Sequence, residues 1–284
     1  MKNLYTFLLV VFTSLSMMAA ISPTEKEALV KLNKATAGEN WTNKWDLNSD
    51  VSTWYGVTIE GDKVVALNLS DNNLVGELSG SIVDLVNLKE LDLHKNHISG
   101  TIPSELSKLK DLNVLNLSFN KLSGSIPASI CELVNLKDIE LYMNRLSGEL
   151  PAKIGALKNL EKLVLFNNEI EGQIPSSLYE ISTLKTLLLN SNKFSGKLSP
   201  EMAKLTKLEN LSLFENNMDG QVPFELEKLN NLKEMNISYN KFNGLVSRKL
   251  ALLDVLNMTM INDKGVAVLL DFTMDSERPL VSEE

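Results

Sequence analysis

The chain has 284 residues, 44% of them hydrophobic and 23% charged, a globular composition with enough apolar material for a sizeable core. Its net charge of −8 argues against nucleic acid or anionic lipid as the main partner, because both require clustered Lys and Arg. A lone cysteine, Cys131, excludes an intramolecular disulfide and a cysteine-based zinc cluster.

Residues 1–20 open on Lys2, run almost wholly apolar from Leu4 to Phe12 and end on Met17-Met18-Ala19-Ala20, which predicts a secretory signal peptide cleaved near Ala20. No later stretch is long enough to span a bilayer, so the mature chain is expected to be exported without a membrane span. Export without a disulfide points towards a bacterial envelope or extracellular protein. Six Asn-x-Ser/Thr sequons occur, at Asn40, Asn68, Asn116, Asn210, Asn236 and Asn257, and three of these (Asn68, Asn116 and Asn236) are one repeat position recurring.

Residues 21–63 read as an amino-terminal cap. Ser22-Pro23-Thr24-Glu25 is a helix start with a capping-box Glu, and Ala28, Leu29 and Leu32 form one apolar face behind it. Trp41, Trp45 and Trp54 follow, all three tryptophans of the chain. They are expected to plug the open end of the core, with a carbohydrate platform as the alternative.

Residues 64–255 carry eight units of 24 residues with no insertion or deletion. Asn recurs at 72, 96, 120, 144, 168, 192, 216 and 240, and Gly follows each by four. Leu91 to Ile98 is one instance of L-x-L-x-x-N-x-L, and motifs such as Thr101-Ile102-Pro103 follow the Gly. Period two turns the paired leucines inward and the residues between them outward. The ladder Asn72, Asn96, Asn120, Asn144, Asn168, Asn192, Asn216 and Asn240 is expected to be structural, satisfying backbone groups where each strand stops. Gly suits a bend with positive φ, Ile-Pro fixes the next turn, and Leu106, Leu109 and their equivalents close the core. Each unit buries its apolar face only against its neighbours, so both ends need caps.

This pattern resembles the plant-type leucine-rich repeat, L-x-x-L-x-x-L-x-L-x-x-N-x-L-x-G-x-I-P-x-x-L-x-x-L-x-x. The resemblance extends into the cap, where Ser52 to Ile59 is similar to the family's C-x-W-x-G-V-x-C with Ser52 and Ile59 at the cysteine positions. Ser79, Ser199 and Ser247 replace the repeat Pro and are expected to loosen those turns. The resemblance implies an α/β solenoid: a right-handed horseshoe with one parallel concave sheet and short 3-10 or helical convex segments. The family includes plant receptor-kinase ectodomains, polygalacturonase inhibitors and secreted bacterial proteins, and its members bind partners on the concave face. Residues 256–284 complete the chain as a carboxyl-terminal cap and acidic tail.

Catalysis has little footing. The two histidines, His94 and His97, lie in one unit, and Glu90, Asp92 and His94 alternate along one strand as a solvated face rather than a metal site. Cys131 sits at a variable convex position and is expected to be a half-buried thiol. Neither cofactor nor metal is expected. The informative variation lies in the concave columns, where Phe119, Tyr142, Met143, Val164, Phe166, Leu188 and Phe214 stand where other units carry Ser, Asn or Asp. These residues are expected to face solvent and to bind a ligand. A protein or peptide is the expected partner, with carbohydrate binding, glycosidase inhibition or a purely structural envelope role as alternatives.

Overall fold

The computed structural model describes residues 21–272 apart from 255, 257 and 263. The expected leader, the sequon at Asn257 and the acidic tail after residue 272 lie outside the described residues. Helix α1 (Pro23–Ala35) starts as the sequence predicts: Ser22 Oγ accepts from Glu25 N at 3.2 Å, and Glu25 Oε2 accepts from Ser22 N at 3.2 Å. Glu25 is itself buried, and its other oxygen accepts from Val64 N at 3.1 Å, tying the helix to the first strand pair of the solenoid.

That pair is antiparallel, β1 (Val57–Glu60) against β2 (Lys63–Asn68), with a bulge between Thr58 and Ile59. From β2 the sheet continues in parallel through β3 (Glu90–Asp92), β4 (Val114–Asn116), β5 (Asp138–Glu140), β6 (Lys162–Val164), β7 (Thr186–Leu188), β8 (Asn210–Ser212) and β9 (Glu234–Asn236). The register shifts by 24 residues per strand, so Leu91, Leu115, Ile139, Leu163, Leu187 and Leu211 stack in one buried row. Each unit returns over the convex side through a short 3-10 turn such as Ser104–Lys108, whose Leu106 and following Leu109 complete the core.

Where Ser replaces Pro before a convex segment, the turn is capped rather than loosened. Ser79 Oγ accepts from Ser81 N, Ser199 Oγ from Glu201 N, and Ser247 Oγ from Leu250 N at the start of the short helix Arg248–Ala251. A side-chain acceptor thus supplies locally what the proline ring supplies by fixing φ.

Two features escaped the sequence. A second parallel ladder runs beside the concave sheet, through segments such as Arg145–Glu149, Glu169–Gly172, Lys193–Lys197 and Asn217–Gln221. In addition, the residue before every ladder Asn is left-handed, from Asp71 (φ 50°) through Phe119 (φ 56°) to Tyr239 (φ 59°). None of these eight residues is β-branched, in keeping with the steric cost of that conformation. The recurring Gly has positive φ in every unit, and Gly76 shows why bulk is excluded, since a Cβ there would meet Ala35 O of α1 at 2.1 Å.

Candidate functional site

The ladder asparagines hold the concave strand ends together. Asn144 Nδ2 donates to Leu117 O at 3.0 Å and Leu141 O at 3.1 Å, while its Oδ1 accepts from Leu122 N at 2.9 Å. Asn96, Asn120, Asn168, Asn192, Asn216 and Asn240 repeat that scheme, each bridging its own unit to the preceding one. Asn72, the first, turns instead to the cap and accepts from Asn43 N at 2.6 Å. In each later unit the carboxamide binds carbonyls two and three residues behind it, and this pins the left-handed residue in between.

That left-handed step divides the candidate residues into two sets. Phe119 and Met143 leave the strand alternation and sit at the rim, where they line a groove of about 550 Å³ with Lys95, Lys121 and Arg145. Phe119 is 46% exposed there. Tyr142 and Phe166 stay on the concave sheet, two residues before their asparagines, and their rings stack across adjacent strands at 4.4 Å with 13° between planes. Phe214 makes an edge contact with Tyr239, 5.3 Å between centroids. Tyr142, Phe166, Leu188 and Phe214 are half-buried.

Val164 departs from the expectation, being only 2% exposed. It stands mid-row between Glu140 and Leu188 and shares its strand face with Phe166, so larger neighbours close over the short side chain. Ser118 and Ser238, in the same column as Tyr142 and Phe166, are buried too and hydrogen-bonded, Ser118 Oγ to Asn116 Oδ1 and Ser238 Oγ to Asp254 Oδ1. Cys131 is buried rather than half-buried, and burial pushes its thiol pKa up. Just past β3, His94 Nδ1 lies 3.1 Å from Asp92 Oδ1, and among the described residues no three His, Cys, Asp or Glu side chains are placed to share a metal.

One row of the same face, six residues before each Asn, went unread in the sequence. It brings Asp138 and Lys162 beside Glu140 and next to the aromatic stack. Lys162 Nζ bonds Glu140 Oε1 and lies 3.9 Å from Asp138 Oδ2, while Asp138 Oδ1 is buried without a hydrogen-bond partner. Burial raises the Asp138 carboxyl to about 6 against the pull of Lys162, with Glu140 and Glu161 adding to the rise. Its folded pKa therefore exceeds its unfolded value, so ionisation opposes folding as pH climbs from about 4 through 6. Asp138→Asn should accordingly stabilise the protein by roughly 2 kcal/mol at pH 8 and by little at pH 4, as read by urea denaturation at the two pH values. Equal effects at both would contradict this origin of the shift.

The cap behaves as a plug. Trp41, Trp45 and Trp54 are buried, with Trp45 stacked on Trp54 at 4.7 Å and Trp41 edge-on to Trp45 at 4.8 Å. Ser52, at a family cysteine position, binds Asp50 Oδ1 at 2.6 Å, and Ile59, at the other, packs against the core. No described helix is long and apolar enough to cross a membrane.

Comparison with known proteins agrees with this architecture. A family model described as "Leucine-rich repeat region" matches residues 114–263, and one for "Leucine Rich repeats (2 copies)" matches residues 86–131. The leucine-rich repeat protein FLOR 1 of Arabidopsis thaliana is 31% identical over 113 residues, which cover 39% of this chain and 35% of that protein. The receptor-like kinase ERECTA of the same plant is 39% identical over 89 residues, 29% of this chain and 9% of its own length. Among solved structures, the ectodomain of the Arabidopsis thaliana receptor kinase GASSHO1/SCHENGEN3, in complex with CASPARIAN STRIP INTEGRITY FACTOR 2, superposes with a TM-score of 0.76 at 29% identity. That match covers 88% of this chain and 29% of the ectodomain. The Arabidopsis receptor kinase HAESA ectodomain, in complex with an IDA peptide hormone ligand, gives 0.74 at 29% identity, covering 88% and 41%. The chain thus spans about a third of FLOR 1 and a smaller share of the receptor kinases. With more than half its length inside the repeat-region match, the chain belongs to the leucine-rich repeat family.

Proposed function

We propose that this chain is a non-catalytic, exported binding protein that recognises a peptide or protein segment on its concave face. The observation that carries the proposal is the Tyr142–Phe166 stack, half-buried on the open sheet with Glu140 and Lys162 beside it and the Phe119–Met143 rim next to it. The core does not use these rings, since Ser or Asn fills the same column in other units. Rigid aromatics flanked by fixed charges are the composition of contact hot spots. Export through residues 1–20 belongs to the same proposal, in keeping with structural neighbours that include receptor-kinase ectodomains, one of them solved with a peptide hormone ligand, and a plant peptide hormone receptor.

A carbohydrate ligand is the second reading, because aromatic rings also stack on sugars. The stack itself argues against it: each ring already spends one face on the other, which leaves less flat surface for a pyranose. The test is capture of exported proteins and a random peptide library on the immobilised mature chain, with a glycan array in parallel. Tyr142, Phe166 and Phe214 replaced together by Ser should weaken the captured peptide by over about 2 kcal/mol with an unchanged circular dichroism spectrum. Unchanged affinity with an intact fold would move the site off the concave sheet.

A further inference from the structure

The rim groove beside the concave sheet reverses the sign of the chain. The protein carries −8 overall, yet Asp71 is the one acid lining this groove of about 550 Å³, against Lys95, Lys121 and Arg145. Lys95 already holds Asp71, at 2.9 Å. Lys121 and Arg145 stand in adjacent units, both exposed, and neither side chain enters an ion pair or hydrogen bond among the described residues. Glu169, the next residue of their row, lies outside the groove lining and is paired with Lys193 at 2.9 Å, which acts on its carboxyl more strongly than Arg145 does. Two cations are thus left uncompensated next to an exposed aromatic ring, Phe119, and the thioether of Met143.

Resting on the peptide-binding reading above, we infer that this groove selects peptide segments carrying a Glu or Asp side chain next to a large apolar residue. The carboxylate sits on Lys121 and Arg145, and the apolar side chain on Phe119 and Met143. Charge complementarity calls for an anion, and the backbone decides which kind. The amides of residues 119–121 and 143–145 all donate to carbonyls of neighbouring units, with Lys121 N on Ile98 O and Arg145 N on Leu122 O, each at 2.8 Å. The groove therefore lacks the free N–H groups that cradle a phosphate, and the two side chains must meet the anion alone. A guanidinium beside an ammonium matches the two oxygens of one carboxylate. The pair spans two units only, with Glu169 next in the row, so a single acidic residue fits and a repeating polyanion does not. Phe119 offers a rigid apolar surface and Met143 an adaptable one, which suits an apolar neighbour of the acid.

The test is selection from a random library of short peptides with acetylated and amidated ends, so that every carboxylate is a side chain, on the immobilised mature chain at about 0.15 M salt. The unaltered chain should enrich sequences with Glu or Asp beside Leu, Phe or Met. The double variant Lys121→Glu, Arg145→Glu should enrich Lys or Arg at that place instead, a result that a misfolded chain cannot give. Replacing the acidic residue of a selected peptide by its amide should weaken binding to the unaltered chain by about tenfold or more. Loss of capture when Tyr142, Phe166 and Phe214 are replaced by Ser, with the acidic preference unchanged in the double variant, would overturn the groove and leave the concave reading standing. Capture of no peptide by the unaltered chain would overturn both. Capture without acidic enrichment, tighter binding of a phosphoserine in place of the acid, or retention of alginate in place of any peptide would each overturn the assignment of the groove.

Discussion

Trp41→Ala should cost about 3–5 kcal/mol, because a fully buried ring is removed where nothing can collapse to refill the space. Trp41 is 1% exposed, its Nε1 donates to Thr36 O at 2.9 Å, and its edge supports Trp45. Trp45 in turn stacks on Trp54, whose Nε1 donates to Asp46 O at 3.0 Å. Loss of the first ring therefore loosens the other two and opens the amino end of the core. Because a solenoid unit touches only its neighbours, the loss should appear as early melting of the amino end rather than as a uniform drop. Tryptophan fluorescence should shift at lower urea than the far-ultraviolet dichroism of the repeats. Trp41→Phe keeps most of the packing and leaves Thr36 O accepting from Val75 N alone, so it should cost only about 0.5–1.5 kcal/mol.

Asn144→Ala should cost about 1–3 kcal/mol by chemical denaturation, since it strands Leu122 N, while Leu117 O and Leu141 O each lose one of two amide donors and keep those of Asn120 and Asn168. Part of the loss comes from Met143, whose left-handed backbone (φ 53°) is held by the same side chain. Arg145→Ala, next along the chain and exposed, should cost under about 0.5 kcal/mol. Equal losses at the two positions would show that the ladder does not hold the units together.

The solenoid and its plugged cap were legible in the sequence because their causes recur. A 24-residue period repeats Leu, Asn and Gly at fixed offsets, and three tryptophans follow a capping box. What escaped has no such hydrophobic signature. The second ladder runs through Arg145–Glu149 and its equivalents, where Lys, Glu and Ser alternate with a few apolar residues and where pairing comes from stacking identical backbones. The left-handed residue is a backbone effect whose one trace is the lack of Val, Ile and Thr before each Asn. Val164 was expected in solvent because period two gives the face but not the height of the neighbours on it. Asp138 and Lys162 needed one more step of the same alternation, and their electrostatics with Glu140 needed the strand pairing that brings the three together.

The central claim, that binding is seated on the concave strands, is tested most directly by hydroxyl-radical footprinting of the chain with a peptide selected from the random library. The rings and thioether that react when free should fall silent on binding at Phe119, Tyr142, Met143 and Phe166, while Tyr55 on the cap and Phe224 on the convex side keep their rates. Protection of Tyr55 or Phe224, with Tyr142 and Phe166 unchanged, would contradict the claim and place recognition on the cap or the outer surface.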